Sequence, residues 1–154
     1  MARIRSIKPE FYEHPGLQGS LSLEAHFTFP RLWQEADARG ILREQPEILW
    51  AKCYALRYAK TQDERHSLAA VRGYLGELCT PDESGRPYVI RYEAFGRKYL
   101  VIPGFQEHQR IDVSDEWAKL AARVDDGSAH PEPPAELVSP WWNPFLERGR
   151  SNAK

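Results

Sequence analysis

PYVIRYEAFGRKYLVIPGF, residues 87–105, is the stretch in which two-residue alternation and a turn signal coincide. Two runs of β-branched and aromatic residues, 88–92 and 99–102, flank Phe95-Gly96, a pair that can sit at the centre of a tight hairpin turn. With those two residues at the turn, Glu93 faces Lys98, Tyr92 faces Tyr99, Ile90 faces Val101 and Val89 faces Ile102. Each pair is chemically compatible: opposite charges near the tip, two rings in the middle, aliphatic side chains at the base. A lone hairpin is marginal in water, so the helical segments that precede it must cover it.

Immediately upstream, residues 64–78 place Leu68, Val71, Leu75 and Leu78 at helical spacing, with Asp63 as the N-cap. The opposite face carries Ala69, Ala70, Gly73 and Gly76, with Arg65, His66 and Arg72 near its edges. An interior glycine costs about 1 kcal/mol relative to alanine. Two of them mark either close approach to a DNA backbone or another helix, or simply a weak helix. Pro46 opens the preceding helix, EILWAKCYALRYAK (47–60), which sets Leu49, Cys53 and Leu56 on one face. Between Gly40 and that helix, Ile41-Leu42-Arg43 predicts a short third strand beside the hairpin.

Further back, a helix capped by Ser20 or Ser22 runs to Arg39 with Gly40 as its stop, and Phe27, Leu32, Trp33 and Ala36 form its apolar stripe. Pro30 lies in its interior and predicts a kink or the start of a second helical piece. His14-Pro15-Gly16 reads as a turn. The opening ARIRSIK (2–8) carries Arg3, Arg5 and Lys8 around two isoleucines. It forms either a phosphate-contacting arm or an extended segment whose isoleucines dock while its cations are solvated.

The fold class expected is α+β: a winged helix-turn-helix of three helices with a small antiparallel sheet whose hairpin is the wing, over residues 1–111. Residues 112–154 add a short helix, DEWAKLAARV, capped by Ser114, then an acidic, proline-rich linker (125–134) and an extended aromatic tail. In that tail Trp141, Trp142 and Phe145 stand between prolines, suited to a groove on a partner or on the chain's own domain.

At 154 residues and 42% hydrophobic, the chain can bury roughly two thirds of its unfolded surface in one core. No apolar run approaches the ~20 residues of a membrane span and no signal region follows Met1, which points to a cytoplasm. Cys53 and Cys79 are too few for a disulfide framework or a zinc site and read as buried thiols. Net charge is −1, with 16 Lys and Arg against 14 Asp and Glu over residues 1–111 and 5 against 8 over residues 112–154. The front is mildly basic and the tail acidic, a weak asymmetry for a nucleic-acid binder. Five scattered histidines, with no HExxH, no CxxC and no Gly-rich phosphate loop, give no catalytic residues, no metal ligands and no cofactor.

Residues 1–110 resemble the N-terminal winged-helix domain of phage replication proteins of the replisome-organiser type, related to primosomal helicase loaders. The residues that carry the resemblance are Arg3-Ile4-Arg5-Ser6-Ile7-Lys8-Pro9-Glu10-Phe11, Leu32-Trp33 through Ala36-Asp37 to Gly40, Ile90-Arg91-Tyr92 with Gly96-Arg97-Lys98-Tyr99, and Ile102-Pro103-Gly104-Phe105 followed by His108-Gln109-Arg110. The resemblance covers about 70% of the chain. It implies a DNA-associated protein in the cytoplasm of a bacterial host that recruits replication machinery and performs no catalysis.

Two functions follow. In the first, the 64–78 helix enters the major groove of duplex DNA with Arg65, His66 and Arg72, the wing adds Arg97 and Lys98, and the arm adds Arg3, Arg5 and Lys8. With no Asn or Gln on that helix face, readout favours shape and backbone; single-stranded DNA is a further ligand. In the second, the same fold holds a protein, either a replication or other host partner or a second copy of the chain, through the helix face and Trp141, Trp142 and Phe145. One such role is modulation of a host or defence protein. A continuous strip of cations across helix, wing and arm favours the first; dispersed cations favour the second.

Overall fold

A computed structural model describes residue 5 and residues 7–82, 85–105 and 116–138. The class is α+β, as expected, with a three-stranded antiparallel sheet, but with eight α-helices among the described residues, six of them within residues 1–111 where three were expected. Two short helices, α1 (Pro9–Glu13) and α2 (Pro15–Ser20), each begin at a proline, where the missing N–H would have had no helical partner. His14-Pro15-Gly16 is therefore the junction of two helices, not a simple turn: His14 Nδ1 accepts from Leu17 N at 3.2 Å.

The long helix α3 (Leu23–Glu35) is capped by Ser22, whose Oγ accepts from Ala25 N at 3.1 Å. Ser22 is held in turn by Glu77, which accepts its backbone N–H and its hydroxyl, each at 2.9 Å. Pro30 neither ends α3 nor divides it. Buried residues lie on both sides of it, Ala25, Thr28 and Phe29 before, Leu32 and Trp33 after, and their burial offsets the lost hydrogen bond. Phe27 is 58% exposed, and Phe29 holds the core position expected of it. The helix also stops short of Arg39. Asp37 accepts from the backbone N–H of Arg39 at 2.8 Å and of Ile41 at 3.2 Å, so its carboxylate reverses the chain where the helix would continue. Gly40 completes the reversal at φ +84°.

The sheet contains β1 (Ile41–Arg43), β2 (Ile90–Ala94) and β3 (Arg97–Val101) in the order β1-β3-β2. The hairpin register is the predicted one over Ile90 facing Val101, Tyr92 facing Tyr99 and Glu93 facing Lys98. The ladder stops at Ile90 and Val101, and Val89 and Ile102, expected to face each other, donate their N–H groups to Leu78 O and Gly40 O instead. Phe95 and Gly96 both have positive φ, +52° and +72°, as a type I′ turn requires. The Tyr92 and Tyr99 rings stack at 5.6 Å. The expected third strand is present, with Ile41 opposite Val101 and Leu42 opposite Leu100.

Helix 47–60 is interrupted, giving α4 (Pro46–Cys53) and α5 (Ala55–Thr61) with Tyr54 between them at φ −128°. Tyr54 is buried, and its hydroxyl shares a 2.6 Å hydrogen bond with Thr28 Oγ1 and donates to Glu24 O at 3.2 Å. Turning that ring into the core breaks the helical register and leaves Leu56 69% exposed, contrary to the expected stripe. The next helix is also shorter than expected. Asp63 caps only a 3₁₀ turn, Glu64–His66, and Ser67 caps α6 (Leu68–Cys79), its Oγ accepting from Ala70 N at 3.1 Å. Val71, Tyr74, Leu75 and Leu78 are buried, while Leu68 is half-buried.

The sheet is apolar on both faces. Leu42 and Leu100, with Val89 and Ile102, join the core beneath α3 and α6. Ile41, Ile90, Tyr92, Tyr99 and Val101 form a second cluster on the other face, closed by Val138 of α8 (Ala135–Val138). Residues 125–134, expected as a linker, first finish α7 (Glu116–Asp126) and then cross this face. Tyr92 donates its hydroxyl to Pro131 O at 2.5 Å, the Tyr99 ring packs on His130 at 5.6 Å, and Arg39 donates to His130 O at 2.9 Å. Arg39 is itself buried and paired to Asp37 at 2.9 Å. Cys53 and Cys79 are half-buried free thiols whose pKa values burial pushes up, which makes them poor nucleophiles. Among the described residues no helix is long and apolar enough to cross a membrane.

Candidate nucleic-acid interface

The outward face of α6 presents Ala69, Arg72 and Gly73, with Gly76 half-buried beside them. A Cβ built on Gly73 or Gly76 meets nothing within 4 Å, so neither glycine makes room for another helix of this chain. Arg72 pairs with Glu47 of α4 at 2.5 Å. The Glu47 carboxyl is held below its usual range by its own backbone N–H and then by Arg72.

Arg65 and His66 are not on α6. They occupy the 3₁₀ turn before it, because Ser67 rather than Asp63 starts the helix. Arg65 grips Asp63 with Nε at 3.1 Å from both carboxylate oxygens and a terminal nitrogen at 2.7 Å. That hydrogen bonding lowers the Asp63 pKa to about 2. His66 is half-buried: its carbonyl accepts from Trp50 Nε1 at 2.8 Å and its ring lies 5.9 Å from Tyr54. Its Nδ1 is buried without a hydrogen-bond partner among the described residues. The three candidates are therefore two ion-paired arginines and one tucked-in histidine, not an open row of cations. Both ion pairs are solvent-screened, so a phosphate can exchange with either carboxylate.

At the hairpin tip, Arg97 stands opposite Ala94 and Lys98 opposite Glu93. Both cations are exposed, and neither makes an ion pair among the described residues. Phe95 sits beyond them, 91% exposed. Lys8 is exposed at the N-cap of α1. Arg5, expected in the arm, turns inward instead. Its Nε donates to Trp33 O at 3.2 Å and a terminal nitrogen to Ala36 O at 3.3 Å, two carbonyls that the end of α3 leaves without helical donors. It also pairs with Glu116 of α7 at 3.1 Å, lies 5.3 Å over the Phe105 ring, and keeps 5% of its side chain exposed. Arg5 is an internal anchor. Arg3, Trp141, Trp142 and Phe145 lie outside the described residues.

Sequence reasoning passed over Phe95, although a bulky aromatic at a turn position that favours Asn, Asp or Gly was a visible signal. It also left Arg57 and Lys60 out of the candidate contacts. Both are exposed on α5 with no ion pair among the described residues, as is Arg43 at the end of β1.

No three His, Cys, Asp or Glu side chains converge as a metal site among the described residues. A cleft of about 190 Å³ lies between α3, β1 and α4, lined by Leu32, Leu42 and Leu49 with Glu35 and Lys52 among its polar residues. It is smaller than the ~300 Å³ at which small-molecule sites begin. Comparison with protein families, curated proteins and solved structures finds no match to this chain.

Proposed function

We propose that the chain is a winged-helix DNA-binding protein of the replication-associated kind, in which the wing leads the contact with the phosphate backbone. The order α3, β1, α4 with α5, α6, β2, β3 and the strand order β1-β3-β2 agree with a helix-turn-helix followed by a wing. The cations do not form a continuous strip across helix, hairpin and arm, so the reading is carried by the hairpin tip, where Arg97 and Lys98 at the start of β3 are solvent-exposed and lack ion pairs among the described residues. On α6 the open surface over Gly73 lets a sugar-phosphate backbone come close, and Arg72 and Arg65 become phosphate ligands by exchanging carboxylate for phosphate. With no Asn or Gln on α6, readout rests on backbone and shape.

The test is fluorescence anisotropy on duplex and single-stranded DNA with the intact chain and an Arg97→Ala/Lys98→Ala variant. Two to four phosphate contacts give a log–log salt slope of about −1.8 to −3.6, a loss of about 12- to 150-fold between about 50 and about 200 mM salt. The double variant flattens the slope by about 1.8. No binding to either DNA at the lower salt refutes the reading.

A second reading has its own observation. Leu23 and Phe27, one turn apart on α3, are 82% and 58% exposed, an apolar pair suited to a protein partner or a second copy of the chain. Concentration-dependent sedimentation that Phe27→Ser abolishes supports it.

A further inference from the structure

The wing ends in a residue that the fold gives no reason to keep. Phe95 takes the first central position of the hairpin turn at φ +52°, in the left-handed region that costs a Cβ-bearing residue energy and that Asn, Asp or Gly occupies most easily. Its ring is 91% exposed and makes no aromatic contact among the described residues. A large apolar ring thus stands in water on a strained backbone at the far end of a rigid hairpin. Backbone strain of this kind, together with exposed apolar surface and no internal partner, marks a contact made outside the molecule. Its neighbours indicate the partner's charge: Gly96 is followed directly by Arg97 and Lys98, and Glu93 is the only acid within the hairpin.

We propose that the Phe95 ring stacks on an unpaired nucleobase, so that the wing binds DNA best where a duplex opens into single strands. This rests on the DNA-binding reading and specifies which DNA structure the wing takes. The alternative on DNA, a ring wedged between intact base pairs, is less favourable, because unstacking a paired step costs more than one aromatic contact returns. An unpaired base at a fork is already open on one face, and stacking on it carries no such cost. The hairpin geometry agrees. The turn brings the ribbon to one large exposed side chain at its tip, which can reach a base while the strands stay beside the backbone. Arg97 and Lys98, on alternate faces of β3 next to the turn, are placed to hold the phosphates on either side of that base.

The experiment compares a forked duplex, carrying 2-aminopurine at its first unpaired position, with a blunt duplex of the same length. The proteins are the intact chain, Phe95→Asn and Phe95→Trp. The intact chain is expected to prefer the fork by about 5- to 150-fold, the range of one base–aromatic stack, and to change the 2-aminopurine emission on binding. Phe95→Asn is expected to lose the preference and the emission change, to keep its affinity for the blunt duplex, and to melt no lower, since asparagine accepts the left-handed conformation. Phe95→Trp is expected to keep the preference. Equal affinity of the intact chain for fork and blunt duplex, or a fork preference that survives in Phe95→Asn, overturns the assignment to Phe95 and leaves the DNA-binding reading standing. Absence of binding to either DNA overturns both.

Discussion

Replacing Gly73 by alanine should make the protein more stable. Gly73 lies in the middle of α6, is exposed, and a methyl group added there meets no atom within 4 Å. The substitution therefore brings no steric cost, and the helix gains the intrinsic difference between glycine and alanine, about 1 kcal/mol. Gly76, half-buried one turn further on, is equally open, so the double variant should gain about 2 kcal/mol if the two sites act independently. With a urea m-value of about 2 kcal/mol/M, the midpoint moves up by about 0.5 M for one change and about 1 M for both. The thermal midpoint rises by about 2–4 °C per kcal/mol. Urea titration followed by far-UV circular dichroism reads both quantities on two-state curves. A lower midpoint at unchanged m-value refutes the reasoning, because it requires a neighbour that the open space over these glycines excludes. The same variants bear on function through the opposite sign. If a sugar-phosphate backbone lies against this face, the added methyl groups weaken DNA binding while strengthening the fold, and glycine is present here for that approach.

Two further predictions concern positions where space or charge is restricted. At Gly40 a Cβ would lie 2.7 Å from Phe105 Cβ and 3.0 Å from Ile102 O at φ +84°, so Gly40→Ala should cost about 2–4 kcal/mol through conformational strain and overpacking, read as a lowered urea midpoint. Burial pushes the Tyr54 and Tyr88 phenols up to about 12, and burial raises Tyr92 as well. For these acids a raised folded-state pKa means that stability is fully present below the unfolded value near 10 and is lost as pH rises from there toward about 12. Urea melts at increasing pH should show that loss beginning near pH 10, with a shallower decline in Tyr54→Phe; a curve unchanged by Tyr54→Phe would mean that this phenol does not titrate with unfolding.

The features legible in the sequence are those whose causes lie within a few residues of one another. The hairpin register follows from cross-strand pairs and a two-residue turn, and the Ser22 cap from a hydroxyl three residues before the N–H it accepts. The break at Tyr54 was not legible, because the hydroxyl that draws the ring inward belongs to Thr28, 26 residues away. The pairing of Arg72 with Glu47 spans 25 residues, and Arg5 reaches Glu116 across 111. A cation's partner at such distances leaves no periodic trace, so a free arginine and a committed one look alike in the sequence. Residues 125–134 misled through composition. Proline and acid suit a solvated linker, but they suit equally an extended chain whose carbonyls accept from Tyr92 and Arg39.

That docked segment also sets how much of the hairpin can meet a ligand. The inner face of the hairpin base is committed to the core through Leu100, and the outer face is closed by His130, Pro131 and Val138 over Tyr92, Tyr99 and Val101. Along β3 exposure ends after Lys98, and Tyr99, Leu100 and Val101 are buried. What remains outside is the turn and the pairs next to it, residues 93–98, together with Arg91, which is paired to Glu44 at 2.7 Å, too small a footprint to span many phosphates. On the proposed DNA-binding reading a hairpin of this kind adds about two charge contacts and one ring, so its share of the salt slope should lie near −1.8, with α6 supplying the rest only where DNA takes Arg72 from Glu47. Glu47→Gln frees Arg72 without altering the wing. If α6 meets DNA, this change should tighten binding and steepen the slope by up to about 0.9; if only the wing does, neither quantity moves.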